Sequence, residues 1–137
     1  MLFIACSRTK EKPPALTYTG EEPRIQNPLS PEDSQKHIQL PEGFEVELFA
    51  AEPDIINPIA FTWDEKGRLW VVQSQDYPHD LSNDVGGDRI TICEDTNGDG
   101  KADKFTDFAT AQSLTTGITK IKGGIIVAQA PDMAFLQ

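Results

Sequence analysis

Gly67-Arg68-Leu69-Trp70-Val71-Val72-Gln73 and Gly123-Gly124-Ile125-Ile126-Val127-Ala128-Gln129 align without a gap. Gly67/Gly123, Val71/Val127 and Gln73/Gln129 are identities, and Asp76 then falls on Asp132, all at the offset that separates 67 from 123. In each copy a glycine turn feeds a short run rich in β-branched residues, as the second strand of a hairpin requires. Self-similarity of this kind in a chain of short strands predicts a β-propeller, built from repeated four-stranded blades. The competing reading is coincidence between two glycine-turned strands.

The neighbouring segments fit the repeat. Pro58 to Trp63 and Leu69 to Gln75 read as strands joined by the turn Asp64-Glu65-Lys66-Gly67, where glycine supplies a positive φ. Arg89 to Glu94 and Lys104 to Ala109 flank an acidic loop as a second hairpin, and Gly117 to Ile121 with Ile125 to Ala130 form a third. Upstream, Phe44-Glu45-Val46-Glu47-Leu48 alternates apolar and polar and predicts a further half-buried strand. One blade then runs from about Pro58 to Ala109, and a second begins near Gly117 and stops in its third strand. The fold class expected is all-β, a partial β-propeller of about one and a half blades, because closure takes about four to eight.

The loop Asp95-Thr96-Asn97-Gly98-Asp99-Gly100-Lys101-Ala102-Asp103 carries the strongest chemical signal. Calcium is a hard cation that takes six to eight oxygens, and loops that bind it offer them at alternate positions around a sharp glycine turn. Here the donors are Asp95, Asn97, Asp99, the Lys101 carbonyl and Asp103, with Gly100 at the turn. Thr106 stands where an EF-hand has a bidentate Glu, and the flanks are strand-like. The pattern resembles DxDxDGxxD calcium loops set in the hairpins of extracellular propellers, with Asn for the second Asp. An acidic turn that binds nothing is the alternative. Three carboxylates this close repel each other unless a cation sits among them.

The whole-chain charge, 12 basic against 22 acidic residues, argues against nucleic-acid binding and against attraction to an anionic membrane surface. No run of apolar residues is long enough to span a bilayer. Phe3-Ile4-Ala5-Cys6 resembles the end of a bacterial lipoprotein signal, with Cys6 as the lipidated residue and membrane anchor, although a basic start and a full apolar stretch are missing. A chance apolar terminus is the other reading. Residues 1–6 are then a signal remnant, 7–39 a disordered tether with a short helix, and 40–137 the incomplete propeller. Ser30 as N-cap and Pro31 at the first helical position predict a helix over Pro31 to Gln39. His37 and His79 read as solvent-facing, Cys93 as a small half-buried residue unlinked to Cys6, and Trp63 and Trp70 as packing aromatics. No nucleophile–base pair, phosphate-binding glycine loop or zinc spacing is present in the sequence.

A family resemblance rests on an ordered series. It runs Asn27-Pro28-Leu29-Ser30-Pro31-Glu32, Leu40-Pro41-Glu42-Gly43-Phe44, Ala50-Ala51-Glu52-Pro53, Gly67 to Val72, Asp76-Tyr77-Pro78, Asp95 to Asp103 and Ala130-Pro131-Asp132. The chain resembles the start of the membrane-bound dehydrogenase-type propeller proteins of planctomycetes and Bacteroidetes, relatives of glucose/sorbosone dehydrogenases. That resemblance implies an extracytoplasmic six-bladed propeller, often followed by a CxxCH cytochrome c domain. It implies carbohydrate oxidation with a quinone such as pyrroloquinoline quinone, and electrons passed to the haem of a c-type cytochrome. No residue here matches a quinone-enzyme catalytic base, and no CxxCH occurs. A non-catalytic cell-surface module binding glycan or protein is the alternative expectation.

Overall fold

The computed structural model describes residues 27–76 and 86–137. Cys6, the expected tether over residues 7–26, and His79 lie outside the described residues. The chain forms two compact units that divide between Val46 and Glu47.

Among its described residues the first unit holds one short helix, α1 (Pro31–Lys36). Ser30 caps it as the sequence predicts, its Oγ accepting from the Asp33 amide at 3.1 Å, with Pro31 opening the first turn. Capping of this kind stabilises a helix by about 1 kcal/mol. The helix ends three residues before Gln39, at the C-cap His37, because none of its residues is buried and no packed face extends it. The strand expected over Phe44–Leu48 does not form. Val46 and Leu48 are half-buried and Phe44 is 63% exposed, but the segment pairs with no strand among the described residues, and the Val46 carbonyl accepts from Gln35 Nε2 at 2.6 Å.

The second unit is built of strands. β1 (Pro58–Trp63), β2 (Leu69–Gln73), β3 (Asp88–Glu94) and β4 (Lys104–Gln112) make an antiparallel sheet in sequential order. β5 (Thr115–Ile121), β6 (Gly124–Gln129) and β7 (Asp132–Leu136) make a second one. The mostly-β character expected from the sequence is what the chain adopts, with short turns between most neighbouring strands.

Side-chain alternation explains how the sheets pack. Trp70, Val72, Ile90 and Ile92 point to one face of the first sheet and share a core with Ile125 and Val127 of the second. Trp70 meets Phe108 edge-on, the centroids 4.8 Å apart. Val71 and Cys93 point the other way, onto Ile55, Phe49 and Ala50 of the preceding segment. The first sheet is therefore covered on both faces, which is why β2 reads as a nearly continuous apolar run. Trp63 takes a different place from Trp70: it is half exposed and touches only the edge of Phe49 among the aromatic rings described.

The second sheet repeats the first at its opening. Asn57 (φ 46°) and Leu114 (φ 49°) are left-handed residues directly before β1 and β5. Pro58 then pairs with Gln73 and Thr115 with Gln129, and each pairing is followed by the same register shift, at Pro58/Ala60 and Thr115/Gly117. The faces correspond as well. Ile125 and Val127 turn towards the first sheet, as their counterparts Leu69 and Val71 turn towards residues 49–55. Ile126 and Ala128, the counterparts of Trp70 and Val72, pair with Phe135 and Met133, which are 48% and 74% exposed.

The match of Asp76 with Asp132 does not survive. Asp132 opens β7, whereas Asp76 sits twelve residues ahead of Asp88, where the equivalent β3 begins. The link from β2 to β3 is far longer than the Ala130-Pro131 turn of the second sheet, so a gap-free alignment fails beyond Gln73.

Candidate functional site

The acidic loop joins β3 to β4, as expected. Its base is closed by Asp103 N donating to Glu94 O at 2.9 Å and by the ion pair Lys104–Glu94 at 2.6 Å. Arg68 Nη1 lies 3.7 Å from the other Glu94 oxygen. The loop is also fixed from outside: Ala102 N donates to Phe49 O at 2.8 Å, which ties the turn to the segment covering the first sheet.

Inside the loop, side-chain oxygens accept from main-chain amides. Asp95 accepts from Gly98 N (2.7 Å) and Asp99 N (3.3 Å) through Oδ1, and from Gly100 N (2.9 Å) through Oδ2. Asn97 Oδ1 accepts from Asp99 N at 2.9 Å, and Asp99 Oδ1 from Lys101 N at 2.9 Å. Asp99 Oδ2 accepts from Asn97 Nδ2 at 3.2 Å. Asp103 is turned aside, its two oxygens accepting from the amide and the hydroxyl of Thr96. Gly98 and Gly100 sit at φ 79° and 87°, a conformation that makes this curl and that glycine adopts without strain.

These bonds change the electrostatic argument. The Gly100 amide, followed by those of Gly98 and Asp99, holds the Asp95 carboxyl below its ordinary range against a smaller opposing effect of burial. The partial positive charge of the amides thus offsets repulsion between the acids. Among the described residues no three His, Cys, Asp or Glu side chains gather closely enough to hold a metal ion. Asp95, Asn97 and Asp99 come together on the curl, while Asp103 is held at Thr96. The donor set fits calcium in kind, since every candidate is a hard oxygen and an ionised carboxylate keeps acceptor capacity beyond two or three amide bonds. Asp95, Asn97, Asp99 and the Lys101 carbonyl would hold the ion, with Asp103 joining by leaving Thr96.

Several buried polar groups escaped the sequence reading. Asp64, whose side chain is 1% exposed, accepts from Lys66 N, Arg68 N, Arg68 Nε and Trp70 Nε1 at 2.7–3.0 Å. Burial works to raise this carboxyl, but the bonds from Trp70, Arg68 and Lys66 outweigh it and bring it down to about 2. On the far side of the sheet Gln73 Nε2 donates to Thr91 Oγ1, and Thr91 Oγ1 donates to Asp107, both at 2.7 Å. Gln73 Oε1 accepts from Ile56 N and from Arg89 Nη2. Cys93 is fully buried rather than half-buried; burial, with Asp54 nearby, pushes its thiol up to about 11 and leaves it unreactive. Arg68 after a Gly turn, two residues before Trp70, was the readable sign of the Asp64 cluster. The Gln73–Thr91–Asp107 ladder depends on pairing across three strands and left no local mark.

Taken together the fold and its hairpin loop define a mostly-β protein of two antiparallel sheets with an acidic amide-bound turn. The chain belongs to the family described as Domain of unknown function (DUF7133), whose profile matches residues 30–137. No curated protein and no solved structure matches it. Among the described residues no helix is long and apolar enough to cross a membrane.

Proposed function

We propose that the two sheets are successive blades of an extracytoplasmic β-propeller whose β3–β4 loop takes up a structural calcium ion. The observation that carries this reading is the shared opening of the sheets: a left-handed residue, the same register shift, the same glutamine partner and the same choice of faces. Two sheets that dock front to back, with the same face always forward, stack as blades do. Calcium would add positive charge among oxygens already curled by the loop's own amides.

The sequence resemblance supports a wider role, in which the protein oxidises a carbohydrate with a quinone such as pyrroloquinoline quinone and delivers electrons to a c-type cytochrome. Anchoring through lipid on Cys6 belongs to the same reading. Calorimetric titration of Ca²⁺ is expected to show saturable uptake by the wild type that Asp99→Ala abolishes. Equal, flat traces for both would end the calcium reading. Dye-linked oxidation of aldoses by the purified protein with added pyrroloquinoline quinone tests the catalytic part. No dye reduction above the quinone-free control would favour a surface module that binds glycan or protein.

A further inference from the structure

The outer strands of the two sheets are not protected alike. β1 is interrupted by the register shift at Pro58/Ala60 and lies against β5. β4 carries Lys104 and Asp107 and shifts twice against β3. β5 has its own shift at Thr115/Gly117 and carries Lys120. Shifts, charges and covering neighbours of this kind keep an open edge from pairing with another chain. Among the described residues β7 has none of them. Its register with β6 is unbroken from Leu136 to Asp132, and no proline or charge falls between Met133 and Leu136. No described strand pairs with its outer side. Met133 and Phe135 are exposed beside Ala128 and Ile126, on the face that turns away from the first sheet.

We infer that β7 pairs antiparallel with β7 of a second copy of this chain, about a two-fold axis at Ala134, to give one six-stranded sheet. An open edge is satisfied by an extended strand, and β7 is complementary to itself in side chains and in charge. With Ala134 opposite its own copy, Met133 falls opposite the partner's Phe135, and Phe135 opposite the partner's Met133. Thioether and ring then cover each other on the exposed face. The charges agree as well. From Gly123 to Gln137 the one charged residue is Asp132, and Lys122 stands in the turn at the opposite end of the hairpin. Neither makes an ion pair among the described residues. The two-fold reverses the strand, so each Asp132 comes beside the partner's Leu136 and within side-chain reach of the partner's Lys122. Two copies that repel through their net charge of −10 thus meet here at two unlike pairs. The inference depends on neither calcium nor oxidation chemistry, nor on closure into a propeller.

Sedimentation of the full chain over a range of concentrations should show a monomer–dimer equilibrium. Asp132→Lys sets lysine against lysine, and Lys122→Asp sets aspartate against aspartate. Each alone should weaken the dimer about tenfold. Both residues are exposed, so the fold should be untouched. Mixed one to one, the two variants regain unlike pairs at both ends and should dimerise as the wild type does. Only contact between copies produces that recovery. In a sample of isotope-labelled and unlabelled chains, intermolecular NOEs should join Met133 to Phe135. A chain that stays monomeric at millimolar concentration would overturn the proposal, as would a dimer that neither variant weakens, a mixture that fails to recover, or NOEs centred on other strands. Slow amide exchange along β7 in a monomer would also overturn it, by showing the edge covered from within the chain.

Discussion

The two sheets share a frame and hold their first hairpins together by different chemistry. In the first, a buried aspartate gathers four donors across the turn: Asp64 binds Lys66 N, Arg68 N, the Arg68 side chain and the indole of Trp70. In the second, the register puts Ile121 where Asp64 stands and Gly124 where Arg68 stands. The charged cluster has no counterpart there. Close approach replaces it, since a Cβ on Gly124 would lie 2.1 Å from Leu136 O and 2.7 Å from the Phe135 ring. The repeat thus conserves where strands start and which way their side chains point, and leaves the means of turning the corner open.

The largest effect that separates the sheets is expected at Gly124. Gly124→Ala forces backbone apart between β6 and β7, and should cost about 3 kcal/mol or unpair β7 outright. Urea unfolding gives the energy, and hydrogen exchange at Ala134 and Leu136 shows whether the loss is local. If the variant unfolds like wild type, close approach is not what shapes the second hairpin.

Next comes Asp64→Ala, which strips four donors of their acceptor in a buried setting and should destabilise by about 3 kcal/mol. Ile121→Ala at the matching site removes only half-buried aliphatic surface, at a cost of about 1 kcal/mol. Equal losses in the two variants would mean the Asp64 cluster adds nothing beyond packing.

A smaller effect is expected from pH. The Asp64 carboxyl lies at about 2 in the folded chain against an ordinary 3.8. A folded value below the unfolded one means its contribution is complete above pH 4 and fades as pH falls towards 2. The loss is on the order of 2 kcal/mol. Stability measured from pH 5 down to 2 should fall more steeply in the wild type than in Asp64→Asn; parallel curves would contradict the assignment.

Smallest is Gly67→Ala. Gly67 sits at φ 75° with nothing near its missing Cβ, so only backbone strain, about 1 kcal/mol, is at stake. A loss as large as that at Gly124 would mean the two turn glycines serve the same purpose after all.

Much of this frame was readable in the chain. Glycine turns, β-branched runs and the repeated Gly…Val…Gln spacing are local signals, and they located strands β1 to β6 to within a few residues. The helix at Pro31 was legible because its cap is a local hydrogen bond. What failed was whatever depends on partners distant in sequence. The alternation of Phe44–Leu48 is a true β pattern, but a strand needs a neighbour to pair with. The Asp76/Asp132 identity held in the alignment only because a sequence does not reveal how long a β2–β3 link the first sheet uses. At the loop, the glycines and acids marked the curl correctly, while the pull of main-chain amides on Asp95 and the turning of Asp103 onto Thr96 follow from a folded backbone. Asn57 and Leu114 carry no shared residue type at all, since what they share is a backbone angle.

Asp88 shows one further consequence. Its fully buried carboxylate accepts from Gln75 N and Asp76 N through one oxygen and from Thr115 N through the other, at 2.8–3.2 Å. One short side chain therefore spans from the corner after β2 to the first residue of the next sheet, and its length works as a ruler for the pitch between them. Glutamate in its place would lengthen that ruler by a methylene, and every residue stacked beyond Thr115 would inherit the displacement.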